Sequence, residues 1–352
     1  MSTLETNAIG KYSTNNVSID DALNLKSYTT TQRDALTSVA GDVIYNTTES
    51  KVQVYTGLAW ENLGGTEAVS TQLLIIGGGG GMNNVAQGSG GAGAGEFIDE
   101  EIFLSPSTNY TVTVGGGGSS GGSNGSPTSV GELSATGGGY GGRGLNFIDD
   151  STLALRGGSG ASGGGGASTN RNIGTTPAGY GSAKNGNNGG SGRCSDGNSN
   201  DRVGGGGGGA GAAGTSATSQ AAGNGGNGLT TTIITTTQSG TYSVGEVSGS
   251  DLYFAGGGGG GAKTTNGTGG LGGGGNEGQN GTANTGGGAG GSFSDTSNPP
   301  DYAGGSGVVI IKYDENYTIS VGAGLTSSTV SDPPTGYKIE IFTAGTGTVS
   351  FS

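Results

Sequence analysis

The sequence predicts a mainly β and irregular fold with little α-helix, organised around a large glycine-rich module. Three observations predict it. Of 352 residues 87 are Gly, while hydrophobic residues make up 29% and charged residues 11%, so one conventional side-chain core cannot fill the chain. Short β-branched runs punctuate the glycine: Leu73-Leu74-Ile75-Ile76, Tyr110-Thr111-Val112-Thr113-Val114, Thr231-Thr232-Ile233-Ile234 and Val308-Val309-Ile310-Ile311. Period-two alternation then marks a conventional hairpin between residues 42 and 63. Such a Gly content raises disorder as an alternative. Disordered chains, however, carry high net charge per residue and few β-branched residues, and the apolar runs here would be a liability in water.

From the amino terminus, residues 1–26 read as an attachment arm, polar with an apolar beat at Val17, Ile19, Leu23 and Leu25. Residues 27–66 read as a small β-hairpin module. Thr31-Gln32-Arg33-Asp34 resembles a capping box opening a helical turn through Leu36. The strand Asp42-Val43-Ile44-Tyr45 then turns through Asn46-Thr47-Thr48-Glu49-Ser50 into Lys51-Val52-Gln53-Val54-Tyr55, and the chain turns again toward Ala59-Trp60-Glu61-Asn62-Leu63. Tyr45, Tyr55 and Trp60 are expected to cover one face. Three short strands are too little to stand alone, so this piece is expected to pack on a neighbour or on copies of itself.

Residues 67–313 form the glycine-rich module, opening with Gln72 to Gly77 and closing with Gly304 to Tyr313; Gly blocks recur near 137–142, 163–166, 204–211, 256–261, 269–275 and 286–291. The strands at its two ends are expected to brace it like bookends. Residues 314–352 form a carboxy-terminal β element. Asn316-Tyr317-Thr318-Ile319-Ser320-Val321-Gly322 echoes Asn109 to Gly115, and Tyr337 to Thr343 with Thr348 to Phe351 read as a hairpin across Ala344-Gly345-Thr346-Gly347.

Chemistry is excluded more readily than assigned. There is no His, and the one Cys, Cys194, makes no internal disulfide; Cys/His zinc sites and His-dependent nucleophilic pairs are ruled out. Ile75-Ile76-Gly77-Gly78-Gly79-Gly80-Gly81 lacks the helix that a dinucleotide turn needs, and Gly261-Ala262-Lys263-Thr264 misses the phosphate-loop pattern. The pairs Asp149-Asp150 and Glu100-Glu101 read as solvated turns rather than glycosidase acids. Asp196, Asn198, Asn200 and Asp201 offer oxygen ligands but no distal bidentate Glu, so a polar loop is the better reading. No cofactor, metal or enzyme activity is expected. A net charge of −13 leaves no basic stripe for nucleic acid, no stretch is long enough to span a membrane, and Met1-Ser2-Thr3-Leu4 does not read as a signal peptide.

Residues 30–63, with Thr30 to Leu36, Tyr45-Asn46-Thr47 and Val54 to Leu63 as their most telling segments, resemble a module common in phage fibre and other virion structural proteins. The opening Met1 to Ile9 is similar to fibre-type amino termini of marine phages. The order Gln72 to Gly77, Gly91 to Phe97, Asn109 to Gly115 and the closing Gly304 to Tyr313 resembles the glycine-rich domain of phage tail fibres. It is also similar to tip adhesins whose Gly runs form a sandwich of polyglycine II helices. The resemblance implies a virion protein, assembled in the host cytoplasm and exposed on the particle. Its amino-terminal region would be held by tail, baseplate or capsid proteins through Leu23, Leu25, Tyr45, Tyr55 and Trp60. Loops of the module would touch a host surface protein or glycan, with Tyr140, Arg143, Phe147, Arg171, Tyr180, Tyr253, Phe254 and Tyr302 as contact candidates. Fibre proteins are commonly homotrimers, and a trimer is the expectation here. The alternative reading is a capsid head fibre or decoration protein with a structural role only.

Polyglycine II is physically reasonable for these runs. A polyproline-II-type helix has three residues per turn and no internal hydrogen bonds, so every backbone polar group points at a neighbour. Only Gly lets such helices approach closely enough to bond side by side, and the lack of a strict Gly-X-Y period excludes a collagen triple helix.

Overall fold

In a computed structural model, residues 25–63, 68–82, 88–145, 155–169, 174–194, 202–294 and 302–352 are described. The chain divides into two units, Met1–Glu67 and Ala68–Ser352. It is mainly β and irregular, with two short helices among the described residues.

The first unit is a four-stranded sheet in the order β1 (Ser27–Tyr28), β2 (Val43–Asn46), β3 (Lys51–Tyr55), β4 (Trp60–Asn62). Helix α1 is Thr30–Asp34, and its cap is Thr29 rather than Thr31. Thr29 has the extended backbone a cap requires (φ −71, ψ 163), its hydroxyl accepts from the Gln32 N–H at 3.3 Å, and its own N–H donates to Gln32 Oε1 at 2.9 Å. Thr31 lies inside the helix. Strand alternation also corrects the expected aromatic face. Tyr55 and Trp60 are directly paired, with ring centroids 5.4 Å apart. Tyr45 pairs with Val52 and therefore projects from the opposite face, with Val43 and Val54. On the Tyr55 face the buried centre is polar: Asn46 and Gln53 are bonded at 3.0 Å, and Arg33 donates to Gln53 at 2.9 Å and pairs with Glu49 at 3.0 Å. Ile44 is the one wholly buried apolar side chain among the described residues of this unit.

In the second unit nine strands share one sheet: β5 (Val69–Ile76), β6 (Phe97–Leu104), β7 (Tyr110–Val114), β8 (Thr128–Val130), β9 (Leu133–Ala135), then β15 (Val308–Asp314), β16 (Ile319–Val321), β17 (Leu325–Thr329) and β18 (Tyr337–Phe351). The main path is β6-β5-β15-β18-β7-β8-β9. The continuous apolar runs of β5 and β15 arise because both faces are covered. Leu73, Ile75, Val309 and Ile311 enter one cluster with Val112, Phe342 and Phe351. Leu74, Ile76, Val308 and Ile310 enter another with Ile233, Leu252 and Phe254. Full burial of each such aliphatic side chain is worth about 1.5–3 kcal/mol.

Two expectations change here. The strands ending the glycine-rich module are not bookends at opposite ends of it, because β5 and β15 pair antiparallel, Ile76 against Val308 through Thr71 against Tyr313. Nor is there a hairpin at residues 344–347. Tyr337–Phe351 is one 15-residue strand whose halves have different partners: β15 and β17 along the first half, β7 and β16 along the second. Those partners hold the strand extended through Gly345 and Gly347, so no turn forms. The two echoing segments flank the same residue, Val349 pairing with Tyr110 on one side and Val321 on the other.

A smaller sheet covers the second face: β12 (Leu229–Thr231), β13 (Glu246–Ser248) and β14 (Asp251–Phe254), in the order β12-β14-β13. The run Thr231 to Ile234, expected as strand, leaves the strand after Thr231, and Ile233 and Ile234 turn into the core ahead of helix α2 (Thr236–Tyr242). Thr235 and Gln238 form its capping box. Two further short strands, β10 (Gly174–Thr176) and β11 (Gly192–Cys194), pair antiparallel.

The glycine runs continue from strand ends: Gly77 follows β5, Gly115 follows β7, Ala255 follows β14, and Gly95, Gly228 and Gly307 lie just before or within two residues of β6, β12 and β15. Their hydrogen bonding repeats every third residue. Gly77 and Gly80 donate to Glu96 and Gly93; Gly78 and Gly81 donate to Ser126 and Ser123; Gly79 and Met82 donate to Gly305 and Tyr302. One run thus bonds three antiparallel neighbours in rotation, as a helix with three residues per turn and outward-pointing N–H groups must.

Residues 88–96 form an interior run. They donate to segments 286–292 (Ala92 to Ala289), 136–142 (Gly93 to Gly139) and 205–208 (Ala94 to Gly208), and they accept from Gly80, Gly165 and Gly258 on three further runs. This is hexagonal packing of polyglycine II type, with parallel and antiparallel contacts mixed. A Cβ on Gly93 would fall on the Ser162 carbonyl, one on Gly91 on that of Gly258, and one on Gly90 on that of Gly165. Small side chains such as Ala94, Ala161 and Ser162 are also buried within the runs, and Met82, Ala92, Ala289 and Tyr302 pack together inside the lattice.

Gly93→Ala is expected to destabilise the second unit by about 3 kcal/mol, because its Cβ meets fixed backbone rather than a movable side chain. Gly116→Ala, with nothing within 4 Å of the added atom, is expected to change stability by less than about 0.5 kcal/mol. Paired thermal melts would check both.

Candidate functional site

One edge of the lattice is built from three adjacent runs. Ala161 donates to the Gly137 carbonyl and Gly158 to that of Tyr140, both at 2.8 Å, so residues 155–161 run antiparallel to residues 137–143. The same register brings Leu155 and Arg156 beside Arg143. On the other side Gly160 donates to the Tyr180 carbonyl at 3.3 Å, and the Tyr180 N–H donates to Ser159 Oγ at 3.2 Å. Asn124 ties the surface together, its Nδ2 donating to the Ser159 carbonyl at 2.9 Å and its Oδ1 accepting from the Tyr140 N–H at 3.1 Å.

The result is a floor of Gly157 and Gly158 flanked by two tyrosines. A Cβ on Gly158 would strike the Tyr140 ring, so the absent side chain is what lets that ring approach the backbone closely. Tyr180 is 59% exposed, and the Arg156 guanidinium lies 5.1 Å from its ring centroid. Arg143, three residues after Tyr140, falls on the same side of its threefold run and is exposed. Neither Arg143 nor Arg156 is ion-paired among the described residues, and Arg156 Nε is buried without a hydrogen-bond partner.

Of the contact candidates, Tyr140, Arg143 and Tyr180 are brought together here. Phe254 is not a surface residue. It is wholly buried in β14 within the core, because strand alternation turns it inward beside Leu252. Tyr253 is half-buried in the same strand, opposite Thr230 and Glu246, and Tyr302 packs into the lattice on Met82. Phe147 and Arg171 lie outside the described residues, as do Leu23 and the Asp196 to Asp201 segment. Leu25 is half-buried. Sequence reasoning missed Asn124, Arg156 and Ser159, which lie in two separate segments. The three-residue spacing of Tyr140 and Arg143 was the available signal.

A groove of about 360 Å³ on the large sheet, lined by Ser70, Gln72, Asp99, Glu101, Lys312 and Tyr337, is chemically different. Its polar groups already satisfy one another: Gln72 and Thr231 donate to Asp99 at 3.1 and 2.6 Å, Ser70 donates to Glu101 at 2.6 Å, and Lys312 sits 4.6 Å over the Tyr337 ring. No grouping of three or more His, Cys, Asp or Glu side chains suited to a metal occurs among the described residues. Cys194 is buried, which pushes its thiol pKa up against a hydrogen bond from the Thr169 N–H at 3.2 Å, so it is a structural thiol rather than a reactive one.

The glycine runs bond into one lattice rooted on strands β5 and β15, which are buried on both faces. The family model of the glycine-rich domain matches residues 60–314, and the chain belongs to that family. No curated protein and no solved structure matches it.

Glu277 provides an electrostatic check on the lattice. Burial raises its pKa to about 7, against hydrogen bonds from the Phe293 and Ala262 backbone, and Oε2 has no partner. The folded pKa lies above the ordinary glutamate value of 4.5. Its contribution is therefore fully present below that value and is lost as pH rises to about 7. Thermal stability is expected to fall between pH 5 and 8. Glu277→Gln should flatten that slope and melt higher than the native chain at pH 8.

Proposed function

We propose that the chain is a bacteriophage virion fibre protein, a tail-fibre or tip adhesin whose glycine-rich module recognises the host cell surface. The observation that carries this reading is the exposed Tyr140–Tyr180 surface with its two arginines, held on a backbone-bonded lattice. Recognition surfaces are commonly placed on a rigid scaffold, and Tyr, Asn, Ser and Arg are the side chains that adaptable binding surfaces favour. The likeness of residues 30–63 to virion fibre modules supports particle membership. An acidic chain of net charge −13 suits a soluble particle component that avoids the genome.

In this reading the first unit is the anchor. The sheet face carrying Val43, Tyr45, Val52 and Val54 keeps these apolar side chains only partly covered, and Val43 is 37% exposed. With so small a buried interior, the unit gains stability from contact with tail, baseplate or capsid proteins or with its own copies, and a homotrimer is part of the proposal. The chain binds and is not an enzyme: it needs no cofactor and enters no membrane.

Antibody labelling of the second unit on intact particles, combined with adsorption of particles carrying Tyr140→Ala and Tyr180→Ala, tests this. Label at the tail or fibre tips and a tenfold or greater loss of adsorption are expected. Label over the capsid with unchanged adsorption would instead make the chain a head fibre or decoration protein.

A further inference from the structure

We infer that the Tyr140–Tyr180 surface binds a carboxylate-bearing saccharide; this rests on the recognition reading above and names the ligand class it takes. The chain holds 26 acidic against 13 basic residues, yet five of its six arginines lie between positions 143 and 202. Acidic residues outnumber basic ones two to one, yet this cluster of arginines is not matched by ion pairs at Arg143 or Arg156 among the described residues. Arg33, by contrast, pairs with Asp34 and Glu49 at 2.7 and 3.0 Å. Arg143 and Arg156 are brought to one surface by the register of residues 137–143 against 155–161 and have no such pair among the described residues.

The donor chemistry is specific. A guanidinium presents a planar fork of N–H groups that matches a carboxylate in bidentate fashion. The Arg156 fork is steadied by stacking at 5.1 Å on Tyr180, while its Nε is buried and unsatisfied. The rest of the surface suits a sugar ring. Tyr140 packs against Gly158, Tyr180 stands exposed across the floor, and Ser159 and Asn124 add hydroxyl and amide groups at the rim. Aromatic faces take the apolar C–H side of a pyranose, and the amide and hydroxyl suit its hydroxyls. The groove lined by Asp99 and Glu101 lacks this character, since carboxylates there would repel the same ligand.

Calorimetric titration of the full chain tests the inference, with oligogalacturonate as the acidic probe and a dextran oligosaccharide as the neutral one. Oligogalacturonate is expected to bind and dextran not to. Arg143→Gln and Arg156→Gln should each weaken binding about tenfold or more, with thermal melts confirming that both variants fold. Raising the salt concentration should weaken binding, as expected for partly exposed charges. Equal binding of dextran, unchanged binding by the double variant, or equal binding of single-stranded DNA would overturn the saccharide class. Failure of oligogalacturonate to bind, while the tyrosine variants still abolish particle adsorption, would overturn this inference and leave the recognition reading standing. Unchanged adsorption in those variants would overturn both.

Discussion

Everything in the second unit depends on backbone hydrogen bonds that leave the run making them. In an α-helix the N–H of one residue finds its partner four residues back. In these glycine runs each N–H finds its partner on another run, and the partner changes with each residue over a three-residue cycle. The bonds can form only if neighbouring backbones come within hydrogen-bonding distance around the full circumference. That distance leaves no room for a Cβ at Gly90, Gly91 or Gly93, each of which faces a neighbouring carbonyl. Glycines of this kind are therefore the packing material of the interior, in the place where aliphatic side chains ordinarily sit.

Such an interior needs outside support. Ordering a residue's backbone costs about 1–2 kcal/mol, and glycine stands at the costly end, while a net hydrogen bond returns about 1 kcal/mol. The sheet supplies what the lattice lacks. Its central strands β5 and β15 are buried on both faces, and the runs emerge from the ends of paired strands whose positions are already set. Pairing of Ile76 with Val308 places Gly77 and Gly307 at the root of the lattice together. Contact between distant parts of the chain is thus set by side chains in the sheet and continued by bare backbone in the runs.

The same construction shows how the proposed recognition surface can sit on so plain a scaffold. Side chains appear at the lattice edge, where no neighbour bonds on the outer side, and the glycines beneath let aromatic rings approach the backbone directly. Tyr140 on Gly158 is the clearest instance. Register between runs, rather than a folded pocket, brings Arg143 and Arg156 to one place.

Much of this was legible in the sequence. Period-two alternation located β2 and β3, the apolar runs located β5, β7 and β15, and the glycine content indicated an interior without side chains. Other features were not. Thr235 and Gln238 cap a helix, TTQSGTY, whose residues are poor helix formers, so its existence depends on packing against the core. Tyr337–Phe351 carries two glycines and reads as a hairpin, yet stays extended because four strands flank it. Asn124, Tyr140, Arg156 and Tyr180 are scattered over some sixty positions of the chain. What the sequence by itself determined was local: which segments alternate, which lack side chains, and which chemistry is absent. The tertiary structure alone decided which run lies beside which, because a glycine run carries no side chains to encode its neighbour, and that choice is imposed by the strands at its ends.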